Sequence, residues 1–268
     1  STDGTQDLVR KSRILKGIQG ELHERPWVDF ATNRNEALAL ATGKTSHVLV
    51  IDADDVLELA NEFKSTKLTK DAYKLTVIYG QSEHARAHVF RPEIYKYVDV
   101  IHEYLAPVSG TQELAEDCPI ATMRIRVMGG GNRSKDPKKF VHDAETLDRA
   151  LKQDPENSRY VFYLGQSWRY ASKTSGDRKH LESALEAYEK RAVMGGAEDE
   201  VYISLFEASR AHEFLGHPHD VIVASYLKTY ESRPYRAEPL FYLARWLRMT
   251  KHYSLAAIYA RHAAAMSK

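Results

Sequence analysis

Three consecutive glycines, Gly129-Gly130-Gly131, break the chain into two stretches of different periodicity. Glycine loses more backbone freedom on folding than any other residue, so three together do not sit inside a helix or strand without a large entropic cost. With Asn132-Arg133-Ser134-Lys135 they read as a joint. Residues 1–130 mix short apolar runs with helical stretches, whereas residues 131–268 are helical in pattern throughout. Each stretch is long enough to bury a core of its own. Asp136-Pro137 predicts a helix start, with aspartate as cap and proline in the first turn.

In the first stretch, Gln6 to Gly17 and Thr32 to Ala41 read as helices, the second with Ala37, Leu38 and Ala41 on one face. Trp27-Val28-Asp29-Phe30, after Pro26, is a short extended or turn segment. Ser46-His47-Val48-Leu49-Val50-Ile51-Asp52 is too short for a helix and too apolar for an exposed strand. It predicts a buried central strand of a parallel sheet. Tyr73–Tyr79, Ala85–Arg91 and Ala121–Val127 are further strand candidates. Helices and strands in this order predict an open α/β sheet.

The second stretch repeats itself. Pro155 precedes Leu164-Gly165 by nine residues, and Pro234 precedes Leu243-Ala244 by the same nine. Small residues at Gly165, Ala184, Ala244 and Ala256 let antiparallel helices approach, and Trp168, Tyr188, Trp246 and Tyr259 fill the gaps between them. This stretch resembles tetratricopeptide repeats, whose unit is about 34 residues. The match is good over Pro234–Ala263 and degenerate elsewhere, with an insertion at Lys173–Lys179. Such an all-α repeat domain is expected to offer a concave face to a protein partner.

Composition excludes several classes. With 38 basic and 37 acidic residues the net charge is +1, so no global field points to nucleic acid. No apolar run approaches the length of a membrane helix. The one cysteine, Cys118, has no intramolecular partner, and a cytoplasmic setting is expected.

The residues that carry chemistry are Asp52-Ala53-Asp54-Asp55, where the apolar run ends. Ligands of open α/β sheets bind beyond the carboxyl ends of strands. Three carboxylates crowded there repel one another and are costly to desolvate without a cation. Mg2+ or Mn2+, hard ions that take oxygen ligands, would neutralise them and grip a diphosphate. A polar turn or helix cap is the plainer reading of the same residues.

The neighbourhood favours the first reading. Ser1-Thr2-Asp3-Gly4-Thr5, Asn33-Arg34-Asn35-Glu36-Ala37-Leu38, Asp52-Ala53-Asp54-Asp55, Phe90-Arg91 and Ile101-His102-Glu103 occur in that order. In this order and spacing the chain resembles family 2 glycosyltransferases of the GT-A fold, some of which carry a helical-repeat extension. The resemblance implies an inverting transfer from a nucleotide-diphosphate sugar, a UDP-sugar, to a glycan, lipid or protein acceptor. It implies that Asp52 contacts the ribose or the metal, and that Asp54 is the principal metal ligand. Asp55 would orient the sugar or brace the loop. Arg34 would approach the nucleotide, unless it is a plain surface arginine. Asp3 would lie in the turn under the nucleotide, or cap a helix.

An inverting transfer also needs a base for the acceptor hydroxyl. Glu103 is the candidate, with His102 as a further metal ligand or sugar contact; a structural strand-end pair is the alternative. Glu113, Glu116 and Asp117 are weaker candidates for the base. Arg133 and Lys135 could close over the donor diphosphate, although a flexible linker is the simpler reading. His84 and His88 have helical metal spacing but fall in a strand candidate. A GT-A domain of this type begins with a strand, a helix and a second strand before the Ser-Thr-Asp-Gly-Thr turn. Residues preceding Ser1 are therefore expected, because a sheet lacking two strands exposes an apolar edge. Without them, catalysis by this stretch would be weak or absent. Two other readings stand beside transfer: a scaffold with a decayed transferase domain, in which the repeats bind a partner, and nucleotidyl transfer, which leaves the later motifs unexplained.

Overall fold

The computed structural model describes residues 4–12, 21–59, 68–109, 116–117, 123–129, 131 and 135–266, with the side chains of 116–117 excepted. The glycine joint separates two architectures: an N-terminal curled sheet and a helical C-terminal domain.

Helix α1 spans Thr5–Lys11 and α2 spans Phe30–Ala41. Asp29 caps α2, accepting from the Thr32 backbone N–H at 2.7 Å and from the Thr32 hydroxyl at 2.8 Å. Among the described residues eight strands follow: β1 (Val48–Leu49), β2 (Asp55–Leu59), β3 (Ala72–Tyr79), β4 (Ser82–Phe90), β5 (Tyr95–Val98), β6 (Tyr104–Pro107), β7 (Glu116–Asp117) and β8 (Met123–Val127). The main sheet runs β1-β4-β3-β8-β2, with β7 also on β3, while β5 and β6 form a separate two-stranded ribbon. Strand β3 is central and buried on both faces. One face packs Ala72 with Phe90, Leu38, Ala31, Tyr95 and Tyr97. The other packs Tyr73 and Leu75 with Val89, Met123 and Ile125. Full burial of side chains such as Phe90, Leu75 and Ile125 stabilises the fold by about 1.5–3 kcal/mol each.

The expected strands 73–79, 85–91 and 121–127 correspond to β3, β4 and β8, the last described from Met123. Their pairing differs from the expected parallel sheet. Strands β3 and β4 form an antiparallel hairpin turning at Gly80-Gln81, where Gly80 has φ 59°. Only β3·β8 and β3·β7 are parallel among the described pairs. The Val48–Ile51 run also departs from expectation. It lies at the sheet edge, antiparallel to β4, and not at the centre of a parallel sheet. Val48 and Val50 pack onto the core, while Leu49 and Ile51 are exposed because they face the side away from it. Strand β2 and the β5–β6 ribbon are not anticipated, since each strand is only four or five residues long. The helix expected over Gln6–Gly17 ends at Lys11, where Ser12 turns extended; residues 13–17 lie outside the described residues.

Seven helices follow: α3 (Lys139–Leu151), α4 (Ser158–Ser175), α5 (Arg178–Val193), α6 (Glu198–Leu215), α7 (His219–Ser232), α8 (Glu238–Met249) and α9 (Tyr253–Met266). Asp136-Pro137 forms the turn before α3 and not its first residues; the Asp136 carboxylate accepts from the Lys138 N–H at 2.8 Å. Each helix packs on the next. Helices α4, α6 and α8 start 40 residues apart, at Ser158, Glu198 and Glu238, so three hairpins repeat. The expected insertion at Lys173–Lys179 is the last turn of α4, a left-handed Gly176 and the Asp177 cap of α5. Gly165 is needed for close approach: a Cβ there would meet the Tyr188 ring at 2.8 Å. Ala184, Ala244 and Ala256 are buried as expected, and Trp168, Tyr188, Trp246 and Tyr259 belong to the cores between helices.

Candidate functional site

The site is built from α2 outward. Successive helical residues point about 100° apart, so Asn33, Arg34 and Asn35 reach three different neighbours. Asn33 turns back on the preceding segment, accepting from the Val28 N–H and donating to the Pro26 carbonyl, both at 2.9 Å. Asn35 pairs with the backbone of Tyr97 in β5, donating to its carbonyl and accepting from its N–H, each at 2.8 Å. Held between these two anchors, Arg34 donates through Nη2 to Asp52 Oδ1 at 2.7 Å and through Nε to Glu103 Oε1 at 2.9 Å. Its guanidinium lies over the Tyr97 ring, 5.3 Å from the centroid. Burial works to lower the Arg34 pKa, but the charges of Asp52 and Glu103 outweigh it and hold the group above its ordinary value.

Asp52, Ala53, Asp54 and Asp55 form a tight turn from β1 into β2, closed by the Asp55 N–H donating to the Asp52 carbonyl at 3.0 Å. Burial, then the negative charges of Asp52 and Asp54, raises the Asp55 pKa; a bond from the Met128 backbone and the charge of Arg34 oppose this. Asp55 stands at the first register position of β2, opposite Val127. Gly131 lies against the turn: a Cβ there would stand 2.9 Å from Asp54 Oδ2. Part of the glycine joint therefore belongs to the site. A cleft of about 710 Å³ opens between α2 and β1, lined by apolar residues such as Leu38, Val48 and Val50, with Arg34, Asp52, Asp54 and Gly131 at its polar end.

A β-bulge stitches the approach to this turn. Tyr73 pairs with Val89 and Lys74 with Ala87, which leaves His88 as the extra residue. Its carbonyl accepts from the Val50 N–H at 2.9 Å, and its Nδ1 lies 2.8 Å from the Val50 carbonyl oxygen. Burial lowers the His88 pKa. His84 stands opposite Val77 and is exposed, whereas His88 is half-buried in the bulge.

His102 and Glu103 lie between β5 and β6. The His102 ring stacks on Tyr163 of α4 with centroids 4.0 Å apart. Of the sequence-expected residues, Arg34 touches both Asp52 and Glu103 and so links the two carboxylates. Among the described residues, no group of three or more His, Cys, Asp or Glu side chains is arranged to hold a metal ion. Asp3, Arg133 and Glu113 lie outside the described residues; for Glu116 and Asp117 only the backbone strand is described. Lys135 is exposed. The anchoring roles of Asn33 and Asn35 were hidden inside the Asn-Arg-Asn motif, and the spacing of His84 and His88 pointed to a metal pair and not to the bulge that His88 forms.

Among the described residues no helix is long and apolar enough to cross a membrane. No protein-family model and no curated protein matches the chain. Solved structures similar to part of it include a crystal structure of MamA, with 14% identity, 51% of this chain and 95% of that chain covered, and a TM-score of 0.26. A crystal structure of MamA protein has 17% identity, covers 52% and 88%, and gives a TM-score of 0.25. TM-scores this low carry no conclusion about fold or function. What the structure itself defines is a curled sheet with a polar site at its edge strand, continued by a helical-repeat domain.

Proposed function

We propose that the chain transfers a sugar from a nucleotide-diphosphate donor, a UDP-sugar, to a glycan, lipid or protein acceptor. One observation carries this reading: Arg34 is held between Asp52 and Glu103 at the polar end of an otherwise apolar cleft. Such a cleft, with a few convergent polar groups, is the usual form of a small-molecule site. The nucleotide would enter beside α2, its phosphates toward Arg34 and Asp54. Asp52 and Asp54 would hold Mn2+ or Mg2+, as two carboxylates on one turn with diphosphate oxygens completing the shell. The ion would supply charge neutralisation for the leaving diphosphate. Glu103, in reach of Arg34, would accept the proton of the acceptor hydroxyl. His102, whose ring stacks on Tyr163, would serve as a further metal ligand or sugar contact. Asp3 and Arg133 remain proposed donor contacts.

Calorimetric titration of UDP, with and without Mn2+, tests this on the full chain. Metal-dependent binding that disappears in Asp54→Ala supports it. A wild-type chain that binds no nucleotide in either condition sinks it. That result favours the second reading, a scaffold whose helical repeats bind a protein partner. The observation favouring the scaffold is that Asp52 and Glu103 are already paired by Arg34.

A further inference from the structure

We infer that Arg159, on the first turn of α4, is the positioning residue for Glu103, so that the sheet site takes its geometry from the helical domain. The inference rests on the reading of Glu103 as the acceptor base. The segment from β5 to β6 holds two non-glycine residues in the left-handed region, Asp99 at φ 77° and His102 at φ 56°. Such conformations are costly for side-chain-bearing residues and persist only where the surroundings impose them. Arg159 imposes both. Its Nε donates to Asp99 Oδ2 at 2.6 Å, and its Nη2 donates to the His102 carbonyl at 3.2 Å. The guanidinium also lies over Tyr104 and Tyr163, 4.9 and 4.8 Å from the ring centroids. Tyr163 in turn carries the stacked His102 ring. The residue so fixed on both sides is Glu103, whose carboxylate is aimed at Arg34.

The other end of the guanidinium faces the repeats. Glu200 Oε1 lies 3.8 Å from Arg159 Nη1, and the same carboxylate binds the buried Arg191 at 3.0 Å. Alternating charges thus run from Asp52 through Arg34 and Glu103, across the His102 carbonyl, to Arg159, Glu200 and Arg191. An arginine fork suits this place, because its planar donors bind a carboxylate and a carbonyl at once.

The test reads the Arg34 Nε–H, which donates to Glu103, by nitrogen-15 NMR of the full chain, its signal identified by its loss in Arg34→Lys. Removing Arg159 as Arg159→Ala is expected to speed exchange of this proton about tenfold, together with the amides of residues 99–104. Glu200→Gln, which touches only the outer end of the fork, is expected to leave Arg34 unchanged. Should Arg159→Ala lose its helical circular-dichroism signal, Tyr163→Leu is read in its place, with the same expected result. Loss of protection at 99–104 with an unchanged Arg34 proton would overturn the inference, as would no change at either. No nucleotide enters the measurement, so this coupling and the transferase reading fail separately.

Discussion

Tyr188 and Leu49 are both large apolar residues on regular elements, yet Tyr188 is 2% exposed and Leu49 38%. The difference lies in who their neighbours are. Tyr188 sits on α5, which has α4 on one side and α6 on the other, both adjacent in sequence. Leu49 sits on β1, whose one described partner is β4, on a side chain facing away from the core. In the helical half, burial follows from local order: each helix is covered by the one before and the one after. In the sheet half, burial depends on pairings far apart in sequence. That half also carries the charged residues at its edge.

This contrast can be broken by mutation. Tyr188→Ala is expected to destabilise the chain by about 3–5 kcal/mol, through lost burial and a cavity against Gly165. Leu49→Ser should stay within about 0.5 kcal/mol. Chemical denaturation measures both. A large cost at Leu49 would mean that the outer edge of β1 is covered in solution, and the contrast would fall. Gly165→Ala sharpens the helical side: the added methyl meets the Tyr188 ring, and a cost of about 1–3 kcal/mol is expected. A neutral result would show that α4 and α5 can slide apart.

The next effect is smaller and belongs to the sheet. Burial holds the His88 pKa below its ordinary value, and the bond to Val50 only partly offsets this. Below about 6.5 the unfolded chain takes up a proton that the folded chain refuses. Stability from this group is therefore complete above that pH and lost as pH falls toward the folded value. Denaturation midpoints on either side of it should show the loss in the wild type and a flatter profile in His88→Gln. The smallest effect is expected at Asp55. Its raised pKa means that the folded chain holds the proton more tightly than the unfolded one. The contribution is present at low pH and lost as pH rises through the folded value. Asp55→Asn should raise the neutral-pH midpoint slightly, and a fall would assign the ionised carboxylate a bracing role that outweighs repulsion.

The same contrast governs what could be read in advance. Helix ends carry their signals in place: Asn157 caps α4, Asp177 caps α5, and Gly176 and Gly216 close α4 and α6. The middle hairpin escaped because Tyr202 and Tyr226 fill it without the proline-led spacing of its neighbours. In the sheet, β3 was legible from its β-branched and aromatic residues, β8 from its alternation and β4 from its Val89-Phe90 end. Their partners were not, since register depends on residues distant in sequence. The run Val48–Ile51 looked central because all four residues are apolar, and nothing in it distinguishes one missing neighbour from two. In the site, Asp52, Arg34 and Glu103 were legible as residues, but their meeting was not. It depends on Asn33 and Asn35 spending their side chains on backbone partners.

The bulge at His88 has a further consequence, for changes of chain length. Removing that one residue would leave Val89 opposite Tyr73 and Ala87 opposite Lys74, as a regular ladder. The hairpin would survive the deletion, while Val50 would lose both of its ties to β4. Loss of this single residue is thus expected to shift the Asp52 turn, together with Val50 on the core, while the β3–β4 hairpin holds. Substitution at the turn itself offers no such separation.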